Sequence, residues 1–443
     1  VVVSNINFGL NREAKEQSLQ IAEAGIYFYK WYLAHQVSGM TTKQVRQFWD
    51  SGVAYGVDDV YEDDFEGIGT YSIKVEPPQD SSTIIEVEST GWTNKNINLK
   101  RTIKVRFRQP SWSEYVVLSD SDIEFKSGTD IIGAVHSNKG IRFDGVAHNI
   151  VSSSVPSYDD PSHGGPDEYG VHTHVSPAEN ELFVNGTPVP NRSDVFLAGR
   201  EFPVPVKDFD SVLIDLADMK SEAGCANIGS YCSGDSEGAI VSANGIYFNG
   251  DKHGRHIVLK ADGTMEVSRV LNMSSNEIKT ESAPVTYPIP DEGVIFVEDD
   301  VWVEGIIDNK RITIVSANLT PGNATNMYIK RDIVYTNYNG DDAIGLVSQG
   351  NIDTLGDSEN DLRIDGAMLA TTGKVGRIHT GGDYKDNITI YGAIVTRLGY
   401  GFSFDDGTGY ANINLIYDNN LLYSPPPYFP TGTNYTIDSW EEL

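Results

Sequence analysis

At 443 residues the chain exceeds one average domain, so two or three are expected, and a 39% hydrophobic content supplies a real core and excludes a disordered chain. Sixty-three acidic against 33 basic residues give a formal charge of −30; such a surface repels phosphate backbones and anionic lipid heads, so no nucleic-acid partner is expected. No stretch reaches the roughly 18–20 apolar residues of a membrane-spanning helix.

The chain opens Val1-Val2-Val3-Ser4, without a Met or a secretory signal, which reads as a cut or processed end and leads us to expect an apolar helical segment upstream. Residues 9–36 carry the one long helical pattern. Leu19, Ala22, Ile26, Tyr29 and Leu33 recur at spacings of three and four and make a single apolar stripe, with Gly25 as the only interruption. A second short helix is expected at Thr42 to Asp50, capped by Thr41 or Thr42. The runs beginning at Tyr71, Thr83 and Arg101 alternate apolar and polar residues as strands of a small antiparallel sheet, one face of which should cover the helix stripe.

From Tyr115 a different pattern begins. Ile141-Arg-Phe-Asp-Gly, Val301-Trp-Val-Glu-Gly, Leu362-Arg-Ile-Asp-Gly and Ile388-Thr-Ile-Tyr-Gly all read as a short alternating strand ending at a glycine and followed by a second apolar run; Thr129-Asp-Ile-Ile-Gly is a looser copy. Glycine permits a bend where a branched residue would not fit. Short strands bent at glycines and repeated every 20–30 residues or so indicate a parallel β-solenoid, each coil burying its apolar face on the next. An antiparallel sandwich is the alternative. Residues 151–194 are polar and turn-rich. An amphipathic helix is expected around Phe209 to Ala223, with Val212, Leu216 and Met219 on one side; a cysteine loop and a meander containing the Asp262-Gly263 turn follow. The end is a proline-rich strap, Tyr423-Ser-Pro-Pro-Pro-Tyr-Phe-Pro, and a final strand at Tyr435 to Trp440.

The expected fold is therefore mainly β with a long N-terminal α-helix, a small antiparallel sheet and a parallel β-solenoid-like head carrying an α+β insertion. Its segments are the helix (1–36), a small helix plus antiparallel sheet (37–118), the first part of the solenoid (119–204), the insertion (205–290), the second part of the solenoid (291–424), and the strap and strand (425–443).

The run Gln20-Ile-Ala-Glu-Ala-Gly-Ile resembles the helix just after the membrane segment of large accessory pilins of bacterial type IV pili. The sheet follows in the same place, with Glu88-Ser-Thr-Gly and Lys100-Arg-Thr-Ile-Lys-Val. Then come Ser121-Asp-Ile-Glu-Phe, His136-Ser-Asn-Lys-Gly-Ile-Arg-Phe-Asp-Gly, Tyr417-Asp-Asn-Asn-Leu-Leu-Tyr-Ser-Pro-Pro-Pro and a terminal Ser439-Trp440-Glu441. The resemblance covers nearly the whole chain, less of it between 151 and 290. It implies an extracellular, non-enzymatic cell-surface protein of the pilus. Its partners would be other pilin subunits met through the N-terminal helix, together with an unidentified surface or glycan ligand. A membrane would be met only through a missing upstream anchor, since the apolar first half of the pilin helix and its cleavage site are not in this sequence.

The candidate chemistry is sparse. Gly340-Asp-Asp-Ala-Ile-Gly looks like the aspartate pair of pectin-hydrolysing β-helix enzymes, in which neighbouring carboxylates act as acid and base, so a carbohydrate-active enzyme using Asp341 and Asp342 is the rival reading. The rest of that enzyme motif is lacking: the next downstream histidine is His379, and no Arg-x-Lys follows it. A trimeric surface or phage spike is a third reading. His163, Asp167, His172 and His174 form the only histidine cluster; on a strand His172 and His174 would share one face, as two ligands of a divalent metal do, with Asp167 as a candidate third; an exposed loop is the alternative, and no metal site is assigned. Asp120, Asp122, Glu124 and Asp299-Asp300 offer calcium-type oxygens, yet no twelve-residue calcium loop matches, so loosely bound calcium has no assigned place. Cys225 and Cys232, with six residues between them, are expected to form a local disulfide, which would indicate an oxidising, extracytoplasmic location; two unlinked thiols are the alternative. No phosphate loop, dinucleotide fingerprint or nucleophile elbow is present.

Overall fold

A computed structural model describes residues 2–443 apart from 80, 163, 177–180, 228, 251–252, 321, 323 and 433, and apart from the side chains of 2–10 and 211–214. Val1, His163 and the Val212 side chain therefore lie outside the described residues. The chain is mainly β and divides into two compact units, Val1–Ser111 with Pro430–Leu443, and Trp112–Phe429. Segments 37–118 and 425–443 each contribute to both.

In the first unit α1 (Val2–Gln36) and α2 (Thr42–Asp50) accompany a five-stranded antiparallel sheet. Its strands run in the order Tyr61–Phe65, Gly69–Glu76, Ile84–Thr93, Asn96–Arg108 and Thr436–Glu442, so the end of the chain supplies one edge. The other edge, Tyr-Glu-Asp-Asp-Phe, has three acidic residues and no apolar alternation, which is why the sequence pattern gives no strand there. Ala22, Ile26, Tyr29 and Leu33 are buried against the sheet core of Ile73, Val87, Ile103 and Val105. Leu19 is only half-buried, and its place is taken by Ile21 and by Ser18, whose hydroxyl donates to Ala14 O at 2.8 Å and Leu99 O at 2.7 Å. Helix and sheet approach so closely that a Cβ on Gly25 would stand 2.3 Å from Ser89 Oγ, and one on Gly91 would stand 2.3 Å from Ser18 O. Gly25 is thus the contact point of the apolar stripe. Thr41 is the N-cap of α2, in a reciprocal capping box with Gln44.

The second unit is built of three parallel ladders, visited in turn by successive solenoid-like coils. The first ladder stacks Gly245–Phe248, Glu292–Val297, Arg311–Ser316, Ala343–Ser348 and the second halves of Asp361–Ala370 and Tyr384–Thr396. It then continues into Val117–Ser119, Val135–Ser137, Val151–Ser153 and Arg200–Glu201. The earliest coils in sequence therefore lie beyond the last one in space. A second ladder runs through Arg255–Leu259, Val301–Ile307, Met327–Tyr335, Ile352–Thr354, Val375–Arg377 and Tyr400–Gly401. On the early coils the same turn of chain forms a separate ladder of Ile123–Phe125, Ile141–Phe143 and Val171–His172. The third ladder ends with Gly409–Ile416, Asp130–Ile132 and Val146–Ala147. Since Gly245–Phe248 and Arg255–Leu259 join the ladders, the 205–290 region supplies a coil as well as α3 (Val212–Glu222) and its hairpins.

From Gly245–Phe248 to Tyr384–Thr396 the first ladder is buried on both faces. Inward, Ile295, Ile312, Ile314, Ile344 and Leu346 belong to the main core. Outward, Phe296, Val315, Val347, Leu369 and Val395 are covered by Leu216, Met219 and Ala223 of α3 and by Leu421, Tyr428 and Phe429 of the strap. Parallel strands covered on both sides read as continuous apolar runs, and Val294-Ile-Phe-Val and Ala393-Ile-Val do so. The strap is held where Arg311 Nη2 donates to Ser424 O and Pro425 O, both at 2.8 Å.

The repeated glycines mark two different corners. Gly133, Gly366 and Gly392 turn the chain from the third ladder to the first, and all three have positive φ near 150°. Gly305 turns it from the second to the third, and Gly145 from the separate early ladder to the third. Gly366 and Gly392 are direct partners in the stack, and a Cβ on Gly392 would stand 2.0 Å from Gly366 O. Gly392→Ala should therefore lower stability by about 2–4 kcal/mol, through backbone strain and overpacking together. Gly401→Ala, with nothing within 4 Å of its Cβ, should be nearly neutral; urea midpoints of the two variants check this.

Candidate functional site

The aspartate pair is not arranged for acid–base chemistry. Asp342 is buried, and its carboxylate accepts from Lys310 N at 3.2 Å, Thr336 N at 3.0 Å, Thr336 Oγ1 at 3.0 Å and Asn337 N at 2.7 Å. These bonds make it the staple of a turn. Asp341 is exposed and accepts from Asn339 Nδ2 at 2.6 Å. His379 is paired with Asp406 at 2.9 Å, its ring against Phe404.

His172 and His174 are brought together, but with a different carboxylate from the one the sequence suggested. Asp167 is exposed and accepts from Ser157 Oγ at 3.2 Å. Asp160 takes the third place: one potential ligand atom from each of Asp160, His172 and His174 lies within 4.8 Å of the others. His172 Nε2 stands 3.4 Å from Asp160 Oδ2. His172 is fully buried, and among the described residues neither ring nitrogen has a hydrogen-bond partner. Burial, with His174 adding, pushes it down to about 4. Burial alone would raise Asp160, but hydrogen bonds from Ser162 and the charges nearby hold it below the ordinary carboxylate value. The acidic run 120–124 serves to tie coils together: Asp120 Oδ1 accepts from Asn138 Nδ2 at 2.6 Å, Asp122 Oδ1 from Gly140 N at 2.8 Å, and Glu124 pairs with Arg142 at 3.5 Å.

Two polar clusters escape the sequence reading because their members are far apart in the chain. Cys225 and Cys232 are bonded. Beside them Lys220 and Glu298 are both fully buried: Lys220 Nζ donates to Glu298 Oε1 at 2.5 Å and to Ser230 O at 3.0 Å, and Tyr247 donates to the other Glu298 oxygen. A buried pair of this kind is costly to break, since either partner alone is an uncompensated charge. The second cluster lines a cavity of about 200 Å³ between the second ladder and the hairpin of Thr264–Ser274 with Glu277–Glu281. There His256 Nδ1 meets Glu281 Oε2 at 2.8 Å, and its Nε2 lies 3.6 Å from Glu304 Oε1. Trp302 and Tyr328 form the floor, with Trp302 Nε1 donating to Asn276 O at 2.8 Å.

Among the described residues no helix is long and apolar enough to cross a membrane. No family model matches the chain, and no curated protein matches it. Among solved structures, the crystal structure of the competence-associated pilin ComZ from Thermus thermophilus aligns over 97% of this chain and 97% of its own, at 13% identity and a TM-score of 0.28, too low a score to bear on fold or function.

The His256 cluster makes stability depend on pH. Burial would lower His256, but Glu304 and Glu281 outweigh it and raise the imidazole above 6.5. Glu304 is held below its ordinary 4.5, chiefly by His256. A raised histidine contributes fully below its unfolded value and loses that contribution as pH rises through the folded one; the depressed glutamate contributes above its unfolded value and loses it as pH falls. Both contributions are therefore complete between about 4.5 and 6.5. Raising the pH from about 6 to about 9 should cost the wild type up to roughly 1 kcal/mol relative to His256→Gln, the scale of a partly exposed ion pair. Urea titrations of the two proteins at both pH values read this difference, in which the opposite contribution of the depressed histidine His172 cancels.

Proposed function

We propose that this chain is a non-enzymatic, pilin-like subunit of an extracellular filament. Its α1 helix would be the assembly surface toward other subunits, and its coil-bearing unit would make contact with surfaces or with a glycan ligand. The observation that carries the reading is the first half of α1. The helix is continuous from Val2, yet among its described side chains the first to bond the sheet is Ser18, and residues 11–17 are exposed or half-buried. An isolated helix of about 12–15 residues is marginal in water, so an extension of this length is expected to be completed by a partner. Its sequence includes Val2, Val3, Ile6, Phe8 and Leu10, side chains suited to a neighbouring helix. The resemblance of Gln20 to Ile26 to the pilin helix agrees with that role. The Cys225–Cys232 bond suits an extracytoplasmic location. The use of Asp342 as a turn staple weakens the glycosidase reading.

Proline at a helix interior costs roughly 3 kcal/mol, so Gly9→Pro should interrupt the extension and leave the sheet-packed part intact. In the native host, the wild-type chain should co-purify with sheared surface filaments, and Gly9→Pro should lower that fraction by about tenfold or more at unchanged total level. Recovery of the wild-type chain only as free protein, or wild-type incorporation of the variant, would refute the filament reading.

A further inference from the structure

We propose that Asp160, His172 and His174 bind one divalent transition-metal ion of the zinc class, which ties the 157–175 excursion to the early coils. His172 lies in a strand paired in parallel with Ile141–Phe143, opposite Arg142. Asp160 follows the short strand Ser157–Tyr158, which pairs with Glu168–Tyr169. The Tyr158 ring lies 5.4 Å from that of His172, and the His172 and His174 rings are 5.0 Å apart. Three donors from two separate stretches of chain thus lie within 4.8 Å of one another.

The strongest sign is His172 itself. A fully buried imidazole with no hydrogen bond at either nitrogen among the described residues is costly and rare. A metal bond would satisfy one nitrogen and account for the burial. Tetrahedral sites with bonds of about 2.0–2.1 Å hold their donors roughly 3.3 Å apart, and His172 Nε2 and Asp160 Oδ2 already stand 3.4 Å apart. His174 is half-buried at the solvent edge and would complete the triangle by a small rotation. Its backbone is fixed by His174 N donating to Asp144 Oδ1 at 2.6 Å. The nearest cation, Arg142 Nη1, is 3.9 Å from Asp160 Oδ2, but its Nε is engaged by Asp144 at 2.7 Å and its Nη1 by Ser162 Oγ at 2.8 Å. Two imidazoles with one carboxylate suit zinc, cobalt or nickel; calcium and magnesium prefer all-oxygen sets. Three protein ligands leave a coordination position for water.

The test uses the full chain stripped with EDTA and titrated with Co²⁺ alone at neutral pH. Visible d–d absorption saturating at one equivalent, reversed by Zn²⁺, is expected, together with a higher thermal midpoint in Zn²⁺. His174→Ala, at a half-buried position, should fold and bind Co²⁺ about tenfold more weakly or worse. Asp167→Asn, outside the triangle, should bind as wild type. His172→Ala is less informative because the site is in the core. Absence of the Co²⁺ spectrum and of the Zn²⁺ stabilisation would overturn the proposal. So would undiminished binding in both His174→Ala and Asp160→Asn, which would assign the metal to the acidic surface at large.

Discussion

The parallel pairing of Ile394–Thr396 with Val117–Ser119 is the contact on which the second unit depends. It joins the earliest coils to the last one, so the chain must leave the stack at Glu201 and rejoin it at its opposite end near Ala239. It makes this return through α3, laid along the outside of the first ladder. The return segment is therefore also the cover that turns a one-sided sheet into a doubly buried one, and the strap completes it. Removing water from both faces gives the strands so covered roughly twice the apolar burial of a strand with one exposed face. The cost is kinetic: contacts between residues near 118 and residues near 395 require closure of a very long loop before they form.

Two-sided burial also explains which parts of the fold are legible in the sequence. The runs around Val294, Ala343 and Ala393 are apolar on both faces and stand out as core. The glycine that ends each alternating strand marks a corner, and the pattern identifies it correctly as a bend. The pattern does not distinguish the two kinds of corner, because Ile141 to Gly145 and Leu362 to Gly366 have the same residue types while turning between different ladders. Nor does it reveal the permuted order of the coils, which is set by which open ends match and leaves no local signature. In the first unit the helix stripe was legible through its spacing, whereas the Tyr61–Phe65 edge strand, carrying three acidic residues, was not.

The candidate metal triangle was half legible. His172 and His174 sit two apart on an extended segment, and period-two geometry places them together. Asp160 could not be chosen over Asp167 from sequence, because a turn decides which carboxylate faces inward and which stays in water. The Asp341-Asp342 pair shows the converse. Its resemblance to a catalytic motif was plain, but backbone donors from Lys310, Thr336 and Asn337 consume the lone pairs of Asp342. Whether a carboxylate is free to react depends on which amides close on it, and those amides come from other turns of the chain.

The order of the coils can be tested directly by cross-linking. Ile132 and Ile416 are direct partners on neighbouring parallel strands, and both are exposed. At the strand spacing of about 4.8 Å, cysteines placed there are within disulfide reach. Ile132 and Asn414, offset by two residues, are roughly 8 Å apart and beyond that reach. Mild oxidation of an Ile132→Cys/Ile416→Cys variant should give an intramolecular cross-link in high yield, seen as a shifted band on a non-reducing gel. The Ile132→Cys/Asn414→Cys variant should give little. Equal, negligible cross-linking in both would contradict the stacking of the first coils on the last.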